Sequence, residues 1–314
     1  MRLKKIDIGG LTSPNNVFLA PLAGYTNAVF RGMCERLGAG LSFTEMVSAK
    51  GLCYNSENTR ELLRLTPEYA AINAVQLFGS EPEYMRRAAE SEDIAPFDLI
   101  DINMGCPVPK IFKNGEGSAL LANVPLAQKL VKAAKASGKA VSVKFRIGID
   151  GGHIVTRDFA LAMQDAGAEM ITIHGRTRDK MYSGEVNYKE VAAAKAAVQI
   201  PVIANGGVFC NADAEKLMVE TGADGVMVAR GAMYNPFIFA ELTDTAVTDK
   251  KAVIKKQLDD TFAEYDYRFA TVYMRKMLAF YIKGQPNAAA TRVKLMGADT
   301  IEKIEEILDT LNFN

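Results

Sequence analysis

Eight short, apolar, β-branched runs recur along the first 245 residues, with Ala-rich helical stretches between them. This alternation constrains the fold more than any other feature of the sequence. The runs fall at 17–19, 41–47, 72–77, 99–103, 140–146, 170–174, 202–205 and 225–229. Several are nearly continuous in apolar residues (Met-Ile-Thr-Ile, Val-Met-Val-Ala), as parallel strands covered on both faces require. Helical stretches lie between them, at 126–136, 157–166, 191–198 and 212–221 among others. Eight βα units in about 245 residues predict an α/β fold, a closed (β/α)8 TIM barrel. A doubly wound open sheet is the alternative, which the eightfold count disfavours. Before the first strand, Ile-Asp-Ile-Gly-Gly-Leu at 6–11 predicts a small hairpin with Gly9 and Gly10 at its turn.

The alternation stops near Glu241. From 252 to 311 only helical spacing remains, as in Ile254, Leu258, Phe262 and Tyr265, or Ile301, Ile304, Ile307, Leu308 and Leu311. The expected organisation is therefore a barrel over 1–245 and a small all-helical domain over 246–314, linked through 243–249. Gly (25) and Pro (11) are ordinary for 314 residues, which excludes disordered and collagen-like chains. The balance of 37 basic and 37 acidic residues removes any global basic field for nucleic acid or membrane, but not a local basic face. Cys34, Cys53, Cys106 and Cys210 have no CxxC spacing, and His153 and His174 are the only histidines, so neither a disulfide framework nor a metal site is expected. No apolar run approaches the roughly 18 residues that span a bilayer, and the first residues lack the core of a signal peptide. The expectation is a cytoplasmic protein that meets no membrane.

In a barrel of this kind the chemistry sits at the carboxyl ends of the strands. The ends here are polar almost throughout: Gln76 after the third run, Asn103 and Cys106 after the fourth, Lys144 and Arg146 on the fifth, His174 after the sixth, Asn205 after the seventh, Arg230 after the eighth. Gly206-Gly207 and Arg230-Gly231 together offer backbone N–H groups and a guanidinium to one phosphate dianion. Lys144 shares an inward parity with Ser142 and Arg146, and an interior cation needs a partner or a purpose. A salt bridge inside the barrel is the plain alternative. With Gln76 and His174, Lys144 suits an electron-rich heterocycle that develops negative charge, such as a reduced flavin. Cys106, between Gly105 and Pro107 on a loop, is a candidate acid or nucleophile, where the other cysteines read as small hydrophobes.

These segments together resemble the tRNA-dihydrouridine synthases. The resemblance rests on Ala-Pro-Leu-Ala-Gly-Tyr-Thr at 20–26, Glu-Met-Val-Ser-Ala-Lys-Gly at 45–51, Gln-Leu-Phe-Gly at 76–79 and Asn-Met-Gly-Cys-Pro at 103–107. It continues with Asn-Gly-Glu-Gly-Ser-Ala-Leu-Leu at 114–121, Val-Lys-Phe-Arg at 143–146, His-Gly-Arg-Thr-Arg at 174–178 and Met-Tyr-Ser-Gly at 181–184. Met-Arg-Lys at 274–276 and Tyr-Ile-Lys-Gly at 281–284 look most like the bacterial B-type branch. The resemblance implies FMN as cofactor, NADPH (or NADH) as reductant and tRNA as partner; a monomer is expected, although the sequence leaves the oligomeric state open. It places Pro21, Leu22 and Ala23 against the isoalloxazine and Gln76 and Lys144 at its polar edge, with His174 nearby. It places Asn205, Gly206, Gly207, Ala229 and Arg230 at the phosphate, and makes Cys106 the general acid. The chain departs from the family in having Gly207 and Val208 where Asp and Ile are usual, and Ala229 where Gly is common.

The implied reaction reduces specific uridines to 5,6-dihydrouridine, with hydride reaching C6 from flavin N5 and the Cys106 thiol protonating C5. An ordinary thiol, with pKa about 8.5, is largely protonated at neutral pH and can donate. The target base must be splayed from its stack. Asn103 and Arg146 would meet it in the site, and Arg176, Arg178, Lys180 and Tyr182 would receive its strand on the loop after the sixth run. A solvated charged loop is the alternative there. Between residues 268 and 298 the helical domain has six basic residues, Arg268, Arg275, Lys276, Lys283, Arg292 and Lys294, and no acidic one. With Tyr273 and Tyr281 interleaved, this stretch is read as the second tRNA surface rather than a plain solvated face. The rival functions are a small-molecule FMN reductase of the dihydroorotate or enoate type, and a tRNA-binding folding factor with a vestigial flavin site.

Overall fold

The computed structural model describes residues 2–66 and 71–313. The chain opens on the expected hairpin: β1 (Ile6–Ile8) and β2 (Leu11–Ser13) pair antiparallel, with Ile8 opposite Leu11. Gly9 and Gly10 carry φ of +61° and +89°, the doubly left-handed turn that matches strand twist and that side chains resist.

Eight parallel strands follow: β3 (Val17–Leu19), β4 (Phe43–Ser48), β5 (Ala74–Phe78), β6 (Leu99–Met104), β7 (Ala140–Arg146), β8 (Met170–His174), β9 (Val202–Asn205) and β10 (Gly225–Val228). Their order is β3-β10-β9-β8-β7-β6-β5-β4. The two outer members meet where the Leu19 N–H donates to the Leu41 carbonyl at 2.8 Å and Phe18 bridges Leu41 in parallel. The fold is thus the (β/α)8 barrel. The second run is shorter than its sequence suggests, because Leu41 makes only that closing bridge. Between Phe43 and Met46 the register of β4 against β5 shifts, and the Thr44 hydroxyl accepts from the Gln76 N–H at 3.0 Å.

Outward-facing residues such as Val75, Ile100, Val143 and Ile171 pack against the helices and explain the continuous apolar runs. Inward, the amino-terminal end is filled by Phe18, Phe43, Leu99, Met170 and Ile203, and the hairpin plugs it with Ile6 and Ile8. Above this apolar floor the barrel interior turns polar.

After the Ile238–Thr243 helix the chain runs through 244–249 into helices Lys250–Glu264, Tyr267–Tyr281, Ala288–Gly297 and Ile301–Asp309. No strand occurs among the described residues beyond 245. Three of these helices begin at a side-chain N-cap: Asp249 accepts from the Ala252 N–H, Asp266 from Phe269 and Thr300 from Lys303. Ile254, Leu258, Met274 and Met277 share one apolar core with Phe30 and Met33 of the Ala28–Arg36 helix, so the helical unit is welded to the barrel. Among the described residues no helix is long and apolar enough to cross a membrane.

Candidate active site

Strand register builds the site in layers from the floor upward. Gln76, Asp101 and Ser142 lie opposite one another on β5, β6 and β7. One step higher are Asn103, Lys144 and Thr172, and above them Arg146, His174 and Asn205. A cavity of about 500 Å³ opens over these layers, a size typical of small-ligand sites. Every expected cofactor residue lines it: Pro21, Leu22, Ala23, Gln76, Lys144, His174, Asn205, Gly206, Gly207, Ala229 and Arg230. Asn103, Cys106, Arg146 and Tyr182 line it too, and among the described residues no carboxylate does.

The cavity is electrostatically one-sided. Burial, then the Arg146 charge, pulls the Lys144 ammonium down to about 8, while Asp101 resists. Its Nζ donates to Asn205 Oδ1 at 3.2 Å, and Asn205 is held in turn by the Met227 carbonyl at 2.7 Å. Among the described residues Lys144 therefore has no direct carboxylate partner, so its bond to Asn205 stands where the salt-bridge alternative would put an acid. Burial, with Arg146, Lys144 and Arg176 adding to it, holds His174 well below its ordinary range, so the imidazole is neutral at pH 7. Burial pushes the Cys106 thiol up, which keeps it protonated.

The Cys106 loop is tightly placed. Its N–H donates to Asn103 Oδ1 at 2.9 Å, and its carbonyl accepts from Ser118 Oγ at 2.8 Å. Gly117, with φ of +59°, comes so close that a Cβ there would lie 3.0 Å from Cys106 Cβ. That contact explains the glycine at 117, which lets its segment close on the cysteine loop.

The residues fit a flavin nucleotide. Gly206 and Gly207 have φ of +125° and +75°, leaving backbone close to the cavity where side chains are strained. Ala229 has φ of −114°, so alanine is accommodated where the family often has glycine. Among the described residues His174 Nδ1, on the cavity wall, is buried without a hydrogen-bond partner, a deficit that a polar ligand would relieve. The donor set, a cation and two amides below and glycines with Arg230 at the side, suits a polar ring joined to a phosphate.

Residues 18–312 match the model of the family described as dihydrouridine synthase (Dus). The chain belongs to the dihydrouridine synthase family. It is 37% identical, across 98% of its length and 89% of the relative's, to a protein named probable tRNA-dihydrouridine synthase 1 from Synechocystis sp.. It is 34% identical, over 89% of this chain and 88% of the relative, to tRNA-dihydrouridine synthase B of Pasteurella multocida. Among solved structures it is similar to the old yellow enzyme homologue of Zymomonas mobilis, with TM-score 0.57 and 14% identity over 79% of this chain and 94% of the other. It is also similar to a morphinone reductase variant, with TM-score 0.56 and 14% identity over 77% and 90%. These two likenesses are of fold.

Within this family frame the expected nucleic-acid residues divide. Lys180 is exposed and Tyr182 is 47% exposed at the cavity mouth, with the Arg230 guanidinium 4.7 Å from its ring centroid. Arg178 lies 3.8 Å over the Phe112 ring. Arg176 is not on an open loop: it is 8% exposed, donates through Nε to the Gly184 carbonyl and packs behind Gly206. Arg146 is 4% exposed, and three backbone carbonyls take its donors.

On the helical domain, Lys283, Arg292 and Lys294 are exposed. Arg275 instead donates to the Met296 and Ala298 carbonyls, at the end of the Ala288–Gly297 helix. Lys276 reaches the Gly24 carbonyl, beside Tyr25. Tyr273 and Tyr281 are core residues, 2% and 5% exposed, with hydroxyls bonded to the Tyr25 carbonyl and Gln257 Oε1. The interleaved tyrosines therefore do not form a stacking face; the packing of the Tyr267–Tyr281 helix buries them. Aromatics that sequence reasoning missed stand nearby instead. Phe209 stacks on Tyr234 at 6.3 Å, and Tyr234 meets Phe280 edge-on at 5.5 Å. Tyr234 and Phe280, with Arg275, Lys276, Lys283 and Arg292, line a second groove of about 450 Å³ that again has no carboxylate among the described residues.

Proposed function

We propose that the protein reduces specific uridines of tRNA to 5,6-dihydrouridine, with FMN in the barrel mouth and NADPH (or NADH) as the source of electrons. The observation that carries this reading is the placement of Cys106, a thiol kept protonated by burial, on the rim of a cavity that also contains Lys144 and His174 and has no carboxylate among the described residues. Gln76, Lys144 and His174 would hold the polar ring edge, Pro21, Leu22 and Ala23 would lie along the ring, and Asn205, Gly206, Gly207, Ala229 and Arg230 would hold the phosphate. When bound, the flavin supplies the hydride that reaches C6 of the uracil.

The chain's own groups do the rest. Cys106 gives its proton to C5, as a thiol above its ordinary pKa is able to do at neutral pH. Lys144, a cation below about 8, offsets negative charge in the site. Val108, Tyr182 and Phe209, each at least 43% exposed along the mouth, offer apolar faces on which a splayed base can shed water and stack. The line from Phe209 through Tyr234 to Phe280, with the Lys283 ammonium 4.1 Å above Tyr234, leads from that mouth into the basic groove. Lys283 and Arg292 there, with Lys294 exposed on the same helix as Arg292, suit phosphates of the tRNA backbone, a surface that a small-molecule reductase has no use for. Mapping dihydrouridine in tRNA from cells with and without this gene tests the reading: loss at defined positions is expected, and an unchanged map overturns it.

A further inference from the structure

We propose that Asp101 is a positioning residue: it fixes which way the Gln76 amide faces and, through Asn103, holds the loop that carries Cys106. The inference rests on the flavin reading above and concerns a residue that reading leaves out. Asp101 is 1% exposed on β6, beneath the cavity wall and not part of it. Its Oδ1 accepts from Ser142 Oγ at 2.7 Å, and its Oδ2 accepts from Gln76 Nε2 at 2.7 Å. Gln76 Oε1 accepts from Asn103 Nδ2 at 2.8 Å. Asn103 Oδ1 accepts from the N–H groups of Cys106 at 2.9 Å and Gly105 at 3.2 Å.

The direction of this chain follows from its two ends. An ionised carboxylate has no hydrogen to give, so Gln76 turns Nε2 toward it. Oε1 then faces Asn103, which offers Nδ2 and keeps Oδ1 for backbone N–H groups that can only donate. Reversing either amide sets donor against donor and acceptor against acceptor in a buried site, where unmade bonds are costly because no water replaces them. Shape does not decide the matter, because the two ends of an amide are nearly the same size. Gln76 and Asn103 both line the cavity, so the polar face they show a bound ring is set from below by Asp101. The position is occupied by a carboxylate although it borders no open space, and packing alone has no use for it.

A double-mutant cycle on the full chain tests this. In Ser142→Ala, Asp101 still accepts from Gln76. In Asp101→Asn, the Ser142 hydroxyl turns to accept from the new NH2, which leaves the amide oxygen toward Gln76. Only the double variant has nothing to hold the new amide in that sense. The readouts are the FMN dissociation constant of the flavin-free protein, by quenching of flavin fluorescence, and the rate of iodoacetamide alkylation at Cys106 without flavin, by peptide mass spectrometry. Each single variant is expected within about threefold of wild type on both readouts. The double variant is expected to bind FMN about tenfold more weakly than the product of the single effects, with an altered Cys106 rate. Additive effects overturn the inference, as does Asp101→Asn losing as much as the double, which would make charge and not direction the cause. Wild-type protein that takes up no FMN would refute the flavin reading, and the alkylation arm would still decide this one.

Discussion

Arg146 Nε donates to the Gly105 carbonyl at 2.9 Å, tying the end of β7 to the loop that carries Cys106. Its Nη1 reaches the Thr177 and Met181 carbonyls at 3.1 and 2.8 Å, so one buried side chain joins the cysteine loop to the loop after β8. Bonds from a charged donor of this kind are worth about 1.5–3 kcal/mol each. Arg146→Met is therefore expected to slow uridine reduction by about tenfold or more, measured in a single turnover. Arg146→Lys should recover little, since one ammonium cannot serve three carbonyls set in a fork. Full recovery by lysine would show that charge alone matters there.

Cys106→Ala separates the two halves of the proposed reaction. Electron uptake from NADPH should persist, followed by bleaching of the flavin, while dihydrouridine formation falls by about a hundredfold or more. Mass spectrometry of digested tRNA gives the second quantity. Retained dihydrouridine would remove Cys106 from the role of acid.

The pH dependence has a defined sign. Lys144 titrates at about 8, and Cys106 is displaced upward by burial. As pH rises through about 8 the rate of uridine reduction should decline because the Lys144 cation is lost, before the thiol ionises. A rate profile that stays flat to pH 9, or a limb near 8 that survives in Lys144→Met, would contradict this assignment.

Asp101 makes a stability prediction of its own. Burial raises its carboxyl to about 6 from 3.8, so the folded state holds a proton more tightly than the unfolded one. The group's contribution is then most favourable below pH 4 and is lost as pH rises through 6, by roughly 3 kcal/mol. Asp101→Asn should flatten this part of the pH–stability curve, read as unfolding free energy between pH 4 and 8. Identical curves for the two proteins would place the proton elsewhere.

On the helical domain, Lys283→Glu together with Arg292→Glu should weaken tRNA binding and lower the slope of log affinity against log salt by about 2. Filter binding over a range of salt concentrations measures both. Arg275→Glu is expected to act differently. It removes the donors to Met296 and Ala298 and should lower thermal stability.

The architecture was legible because each barrel strand writes itself as a short apolar run, and because the carboxyl ends of those runs carry the polar residues that line the cavity. The hairpin was legible through Gly9 and Gly10. Three things were not. Asp101 sits inside the run at 99–103 and looks like an interruption of a strand; only the register that sets it between Gln76 and Ser142 shows its use. Tyr273 and Tyr281 lie on the helix face that the barrel covers, a matter of docking that local periodicity does not specify. Phe209, Tyr234 and Phe280 come from three separate segments, so their line exists only once the helical unit packs on the barrel. The Asn-Gly-Glu-Gly segment was visible, but its reason, the approach of Gly117 to Cys106, was not.

The central claim is that this barrel mouth reduces uridine in tRNA with a flavin. The direct measurement uses purified protein loaded with FMN, NADPH, and tRNA from cells that lack this gene. Mass spectrometry of the recovered nucleosides should show 5,6-dihydrouridine that forms only when both FMN and NADPH are present. tRNA recovered without dihydrouridine, although the protein binds FMN and oxidises NADPH, would contradict the account.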